Sequence, residues 1–568
     1  MQYGSSKRAA YIINPDERDP DTLKSSVATL SLLSTLCLPQ LQAQTTNAAT
    51  PKAVQHPPRL VVAIIVDQFR FDYTTRFASR YTGGLHRMLT GGAVFVDAHQ
   101  DHYPTVTATG HAAFMTGSTP ATSGIIGNEW FDRAQGRSIT SVEDADTKLL
   151  GGKPGATGSS PHNLIVSTLG DELKMADHNT TRVIGISMKD RAAILPAGRM
   201  ADAAYWIDDT TGAFVSSTWY QSALPSWVES FNEGKPAQCF LGKSWFAPGA
   251  EHIGAKPFET LPAKSGKDYI AAFETTPWSN DLLEEFAEQA IQHEELGRHN
   301  GTDVLTISFS ANDHLGHAVG PDDPAVEELA VSSDQTIGKL ITAAEKQVGG
   351  PQNVLVVMSA DHGVAPVPEI NLARKMPGGR VHKAAYTRVV QDALDTRFGT
   401  ARWIIGSWES GFYFDQNLIR ERKLNPSDIE DEAARAIADL PYVERTYTRT
   451  QLMHREAMAS LADDYVARSF FPARGPDLFV IFKPYWLFGK QGTSHGSPWD
   501  YDTHVPLLFF GAGIRPGTYT ERIGISDVAP TLAALLYVET PSGSVGHVLP
   551  EIVAPSRLPS SVSSPRSR

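Results

Sequence analysis

The sequence predicts a three-layer α/β/α sandwich around a largely parallel sheet, with inserted cap or auxiliary regions. Three observations predict it. Continuous apolar, largely β-branched runs at 60–66, 183–187, 304–309, 354–358 and 505–510 read as strands covered on both faces. Helical patterns separate several of them, notably at 280–296 and 324–346. Buried strands that alternate with helices imply a parallel sheet between two helical layers. Aspartates follow directly on several runs, where the loops of an open α/β sheet form its crevice.

From the N-terminus, residues 1–43 read as a secretory signal region. The run VATLSLLSTLCL follows Lys24 and leads to a small-residue cleavage pattern ending at Ala43; it is too short to span a bilayer. Residues 1–22 are polar and out of place before a signal, which points to a true start at Leu23. Cys37 leaves with the signal, so Cys239 has no intrachain partner and no disulfide framework is expected. Leu36 precedes Cys37 where a lipoprotein signal needs a small residue, which argues against a stable membrane anchor.

Residues 44–58 form a Pro/Thr/Ala linker. One large domain at 59–552 is expected to carry two insertions. That at about 200–280 is rich in Trp, Pro and Gly with loop-like spacing. That at about 376–490 has helices at 382–397 and 426–440 and strands at 403–414 and 477–482. The Ser/Pro/Arg-rich end, 553–568, reads as a disordered tail. Net charge is −13 over 568 residues, which excludes broad attraction to nucleic acid or anionic lipid. An anionic substrate needs a local positive centre.

Four scattered segments supply one. VVAIIVDQF places Asp67, LTISFSANDHLGH places Asp313 and His317, VLVVMSADHG places Asp361 and His362, and GTSHG places His495. One aspartate after a strand is usually a helix cap or turn residue; three, each near His or a hydroxyl-bearing turn, point to ligands. Asp313 and His317 are one helical turn apart. Asp361 and His362 are adjacent and need a sharp bend, which Gly363 permits. Mixed Asp/His ligation without Cys suits Zn²⁺ best. Between the first two segments, YPTVTATGH offers Thr105, Thr107 and Thr109 at a helix start, where a metal and the helix dipole activate a hydroxyl; spacing does not choose among them. Six such ligands and an oxygen nucleophile imply two-metal hydrolysis of a phosphate ester. His86, His99, His293 and His504 read as ordinary histidines, and Trp130, Trp206 and Trp499 as core. Lys189 and Arg191 leave the strand at 183–187; in extended chain residues i and i+2 point the same way, so both cations are expected at one site.

From about residue 60 to 550 the chain resembles the alkaline phosphatase superfamily, in its bacterial exported branch with a threonine nucleophile. The pattern P-T-x-T, a helix ending T-G, then G-I-x-G-N falls on Pro104–Thr107, Thr116–Gly117 and Gly124–Asn128. The resemblance implies Thr107 as nucleophile and Asn128 as donor to a phosphoryl oxygen. It implies one zinc held by Asp67, Asp361 and His362 beside Thr107, and a second held by Asp313, His317 and His495. In the related monoesterases a K-x-R pair, here Lys189 and Arg191, contacts the remaining phosphoryl oxygens; related diesterases lack it. The expectation is a two-zinc phosphomonoesterase, exported to the bacterial periplasm, acting on small-molecule phosphate monoesters through a phosphothreonine. The alternatives are a phosphodiesterase, nucleotide pyrophosphatase or phosphonate-ester hydrolase on the same scaffold, and a non-catalytic exported binding protein. The sulfatase motif C/S-x-P-x-R is missing around Thr107.

Overall fold

The computed structural model describes residues 56–553 apart from 252–253 and 455–459. The expected signal region, most of the linker and nearly all of the tail lie outside the described residues. No helix among the described residues is long and apolar enough to cross a membrane. Cys239 is an exposed free thiol.

Eleven strands form the main sheet: β1 (Leu60–Val66), β2 (Ala93–Phe95), β3 (Glu143–Leu150), β4 (Thr157–Ser159), β5 (Val183–Ser187), β6 (Ala203–Ile207), β7 (Phe214–Ser217), β8 (Asp303–Phe309), β9 (Val354–Ser359), β10 (Leu507–Gly511) and β11 (Gly517–Tyr519). Their spatial order is β11-β2-β10-β9-β1-β8-β5-β6-β7-β3-β4. The five central strands, β9-β1-β8-β5-β6, are all parallel, while β10 and β7 pair antiparallel at either side. Every residue of β1, β5, β8 and β9 is buried. Burying each Val, Leu or Ile side chain contributes on the order of 1.5–3 kcal/mol, so apolar runs with no polar face are stable only in such a doubly covered position.

Helices cover both faces. On one lie α1 (Thr107–Thr116), α2 (Asp190–Ala197) and, nearer the end of the chain, Val528–Leu536. On the other lie α3 (Pro277–His293) and α4 (Pro324–Val348). The predicted three-layer sandwich is the observed one, with the parallel core flanked by antiparallel strands.

The two expected insertions differ in kind. The stretch from about residue 200 begins inside the sheet, because β6 and β7 belong to it. Beyond β7 the chain turns irregular, with a few short helices and a two-residue hairpin packed on the main core. The stretch from about 376 carries its own four-stranded antiparallel sheet, ordered Ile404–Trp408, Gly411–Phe414, Leu478–Phe482, Val443–Thr448. Helices Lys383–Phe398 and Pro426–Ala438 pack on it around a separate core. Its other face leans on the start of α1: Tyr103 meets Trp408 edge-on at 5.9 Å and donates its hydroxyl to Val480 O at 3.0 Å.

Candidate functional site

Asp361, Asp67, Asp313 and Lys189 lie just beyond the C-terminal ends of β9, β1, β8 and β5, four consecutive neighbours in the sheet. Parallel strands stand about 4.8 Å apart, so loops leaving neighbouring strands bring these groups together without long excursions. Three carboxylates meet there almost fully buried, which is tolerable only with compensating cations.

Lys189 is one such cation. Its Nζ lies 2.5 Å from both Asp67 Oδ2 and Asp313 Oδ2. Burial pulls the ammonium down, but Asp313 and Asp67 override this and raise its pKa. Its partners are thus two of the expected ligands. The backbone differs from expectation: Lys189 is the N-cap of α2 and Arg191 lies in its first turn. A helix starts there instead of extended chain, so alternate-residue geometry does not apply. Arg191 still stands close enough to weigh electrostatically on Lys189, and its buried Nε has no hydrogen-bond partner among the described residues.

The histidines share one arrangement. Nδ1 of His317 lies 3.0 Å from Thr493 O, that of His362 3.0 Å from Gly363 O, and that of His495 2.8 Å from Thr105 O. Each Nδ1–H therefore donates to a carbonyl, which turns Nε2 inward; on the neutral rings of His362 and His495 it carries the lone pair a metal ligand requires. His317 Nε2 lies 3.1 Å from Asp313 Oδ1, and His495 Nε2 3.7 Å from the same oxygen. His362 Nε2 lies 3.5 Å from Asp67 Oδ1 and 3.4 Å from Asp361 Oδ2, and its ring stacks on that of His495 at 3.5 Å. Burial lowers the pKa of His362 to about 3 and that of His495 well below its ordinary value. His317 is pulled down by burial but held up at about 9 by Asp313. Burial and Asp67 together raise the Asp361 carboxyl well above its usual range.

Two groups of ligand atoms result, Asp67/Asp361/His362 and Asp313/His362/His495, each within 4.8 Å. Asp67 Oδ1, Asp361 Oδ2 and His362 Nε2 are buried and lack hydrogen-bond partners among the described residues. Three orphaned lone-pair atoms pointing at one spot fit a divalent cation and are otherwise costly. A third Asp/His group, Asp97/His99/His504, is different: Arg522 Nη1 lies 3.0 Å from His99 Nε2, and His504 Nε2 bonds Val96 O. These two histidines are structural, as expected; His86 and His293 are exposed.

Among the three threonines the geometry discriminates. Thr105 donates to Ser497 O at 2.8 Å. Thr109 donates to the carbonyls of Pro104 and Val106, both at 2.8 Å, and accepts from Val106 N at 3.3 Å, capping α1. The Thr107 hydroxyl forms no hydrogen bond among the described residues and stands at the first residue of α1, at the positive end of its dipole. Asn128 Oδ1 accepts from Ala108 N at 2.8 Å, which turns its amide nitrogen away from the helix as a donor. Helix α1 sits directly on the Asp361 loop: a Cβ on Gly110 would fall 2.3 Å from Asp361 O. Gly363 likewise acts by close approach, 2.2 Å from Tyr501 O to an added Cβ, rather than through the bend expected of it.

Sequence reasoning missed several participants. Gln68, at φ 60, donates its backbone N–H to Asp361 Oδ1 at 3.1 Å and its side-chain amide to Asp313 Oδ1 at 2.6 Å. Asn312 donates to Gln68 O at 2.8 Å. Asp502 accepts from Ser497 N at 2.8 Å, and its own carbonyl accepts from Gly363 N at 2.7 Å, joining the His495 and His362 loops. Trp130 and Trp206 are core, as expected; Trp499 is half-buried beside them.

Known proteins bear on this arrangement. A profile of the family described as type I phosphodiesterase / nucleotide pyrophosphatase matches residues 61–504. Alkaline phosphatase PafA of Elizabethkingia meningoseptica is 35% identical over 538 residues, covering 90% of this chain and 96% of its own. Alkaline phosphatase PhoV of Synechococcus elongatus is 34% identical over 536 residues, with coverage of 90% and 96%. The crystal structure of wild-type PafA matches with a TM-score of 0.81 at 32% identity, covering 88% of this chain and 99% of that one. Fold and relatives define the class, the alkaline phosphatase superfamily. Within it, the chain belongs to the type I phosphodiesterase / nucleotide pyrophosphatase family.

Proposed function

We propose that this protein is an exported, zinc-dependent alkaline phosphatase that hydrolyses small-molecule phosphate monoesters to an alcohol and inorganic phosphate. The observation that carries the metal centre is the set of inward-facing histidine Nε2 atoms among orphaned carboxylate oxygens. Asp67, Asp361 and His362 would hold one zinc, and Asp313, His317 and His495 the other. Bound there, zinc supplies Lewis-acid charge to the attacking and leaving oxygens of an in-line displacement.

The chain's own groups do the rest. Thr107, unbonded at the start of α1, attacks phosphorus; the alcohol leaves and a phosphothreonine forms. Water then displaces Thr107 and releases phosphate. The Asn128 amide and the Arg191 guanidinium bind the equatorial oxygens, and Lys189, at the edge of the carboxylates, adds its charge on the same side. One such donor is worth roughly 10²–10³ in rate.

Lys189 and Arg191 favour a monoester, whose dianion carries one charge more than a diester. The family description names diesterases; of five full-length relatives, four are named alkaline phosphatases and one a calcium-transporting ATPase. A solved PafA variant replaces a threonine, an asparagine, a lysine and an arginine; the same four types stand here in the same order, again with lysine and arginine two apart. The deciding experiment compares kcat/KM of the zinc-loaded protein for p-nitrophenyl phosphate and bis-p-nitrophenyl phosphate, with a chelator control. A strong, chelator-sensitive monoester preference is expected. A diester preference would keep the centre and overturn the substrate. Thr107→Ala is expected to lower monoester turnover by on the order of 10⁴-fold or more while zinc content, read by elemental analysis, stays the same.

A further inference from the structure

Beside His495 opens a cavity of about 110 Å³ between the main domain and the four-stranded sheet. Its walls are aromatic: Tyr103, Phe482, Trp486 and Phe488 line it together with Glu409 and His495. Glu409 is the turn residue joining strands Ile404–Trp408 and Gly411–Phe414, at φ 47. A bulky residue in the left-handed region is costly and persists only where surrounding structure enforces it. Here the turn brings the carboxylate inward, so that a Cβ on Gly496 would lie 3.6 Å from Glu409 Oε2 and 3.6 Å from Val106 Cγ1. Glu409 thus faces the gap between the His495 loop and the residue before Thr107. No hydrogen bond or ion pair to its carboxylate forms among the described residues.

Such a combination has a definite chemistry. Aromatic faces attract cations through their negative π-clouds, most strongly when water is excluded. A half-buried carboxylate with no hydrogen bond gains from an incoming positive charge, even with Lys383 already acting on Glu409 through space. One ammonium already uses this wall from outside: Lys383 Nζ stands 5.7 Å above the Phe488 ring. Lys483 at the rim is exposed, so water screens its opposing charge. The volume suits a trimethylammonium-sized group.

We infer that this cavity receives the alcohol portion of the substrate and selects phosphate monoesters of alkylammonium alcohols, with Glu409 as the specificity residue. The inference rests on the phosphatase reading and deepens it. The reaction is unchanged: water adds across the P–O bond, the alcohol oxygen takes the proton, and the ammonium serves only in binding.

The test compares kcat/KM of the zinc-loaded full chain for phosphocholine and for 3,3-dimethylbutyl phosphate, which has the same shape with carbon in place of N⁺. p-Nitrophenyl phosphate is the reference. A preference for phosphocholine on the order of tenfold, the size a desolvated cation–π contact supplies, is expected in the wild type. In Glu409→Gln that ratio is expected to fall severalfold, to what the aromatic walls alone supply. A wild-type ratio near one, with p-nitrophenyl phosphate turned over, overturns the inference and leaves the phosphatase reading standing. An unchanged ratio in Glu409→Gln overturns the role of Glu409, and inactivity on all three esters overturns both readings.

Discussion

Gln68 shows how much a single residue arranges. Its left-handed φ of 60 turns the chain as it leaves β1, aiming the backbone N–H at Asp361 and the side chain at Asp313. It thereby fixes one carboxylate of each proposed zinc set. Groups that orient metal ligands typically carry about 10–100-fold in affinity. Gln68→Ala is expected to weaken zinc binding by about that factor, seen as a rightward shift when activity is titrated with buffered zinc; an unshifted titration would remove the role. Nothing in the sequence marks Gln68, because an amide carries no ligand signature and its value lies in a backbone angle. Asp502 gives a pH dependence. Burial pushes its carboxyl up to about 7 from 3.8, so the folded chain keeps a proton that the unfolded chain has released. Its contribution to stability is therefore complete below pH 3.8 and is lost as pH rises to about 7. Relative to wild type, Asp502→Asn is expected to gain Tm as pH is raised from about 5 to about 8, on either side of that folded value, measured by calorimetry on the metal-free protein; parallel Tm curves would contradict this.

Helix α1 shows the same economy at the scale of an element. It presents Thr107 at its first residue, caps itself with Thr109, and rests on the Asp361 loop through Gly110. Gly110→Ala forces a Cβ to within 2.6 Å of Asp361 Cα, where neither backbone can yield. The expected result is a loss of both activity and several degrees of Tm, whereas an exposed helical Gly→Ala would raise Tm. The strands that carry ligands were legible because apolar residues dominate each run, β8 keeping the pattern despite Thr306 and Ser308. β6 and β7 were not: AAYWI and FVSS are short and sit among Trp, Pro and Gly, so their membership of the sheet is visible only in the pairing. The N-terminus of α2 was missed for a related reason. Lys189 makes no side-chain cap, and without a capping residue nothing in the local pattern signals that a helix begins there.

Over the whole molecule, Asp67, Asp313, Asp361, His362 and His495 fall into two adjoining ligand groups, with His317 beside Asp313 and Lys189 between Asp67 and Asp313, although the chain separates them widely. That convergence was legible because an open α/β sheet has one functional edge; the cavity at Glu409 was not, since it exists only where the four-stranded sheet leans on the start of α1 and the His495 loop. Zinc that binds the folded chain alone must stabilise it. A chelator is expected to lower Tm by several degrees, and re-added zinc to restore it; an unchanged Tm would argue against a tightly held ion.

The four strands that deliver Asp361, Asp67, Asp313 and Lys189 come from positions 60, 183, 303 and 354 of the chain, so each pairing joins distant segments. Such pairings close large loops and form slowly. Catalysis is thus a clock for completion: during renaturation, helical ellipticity should recover first and turnover last, even with zinc in excess throughout.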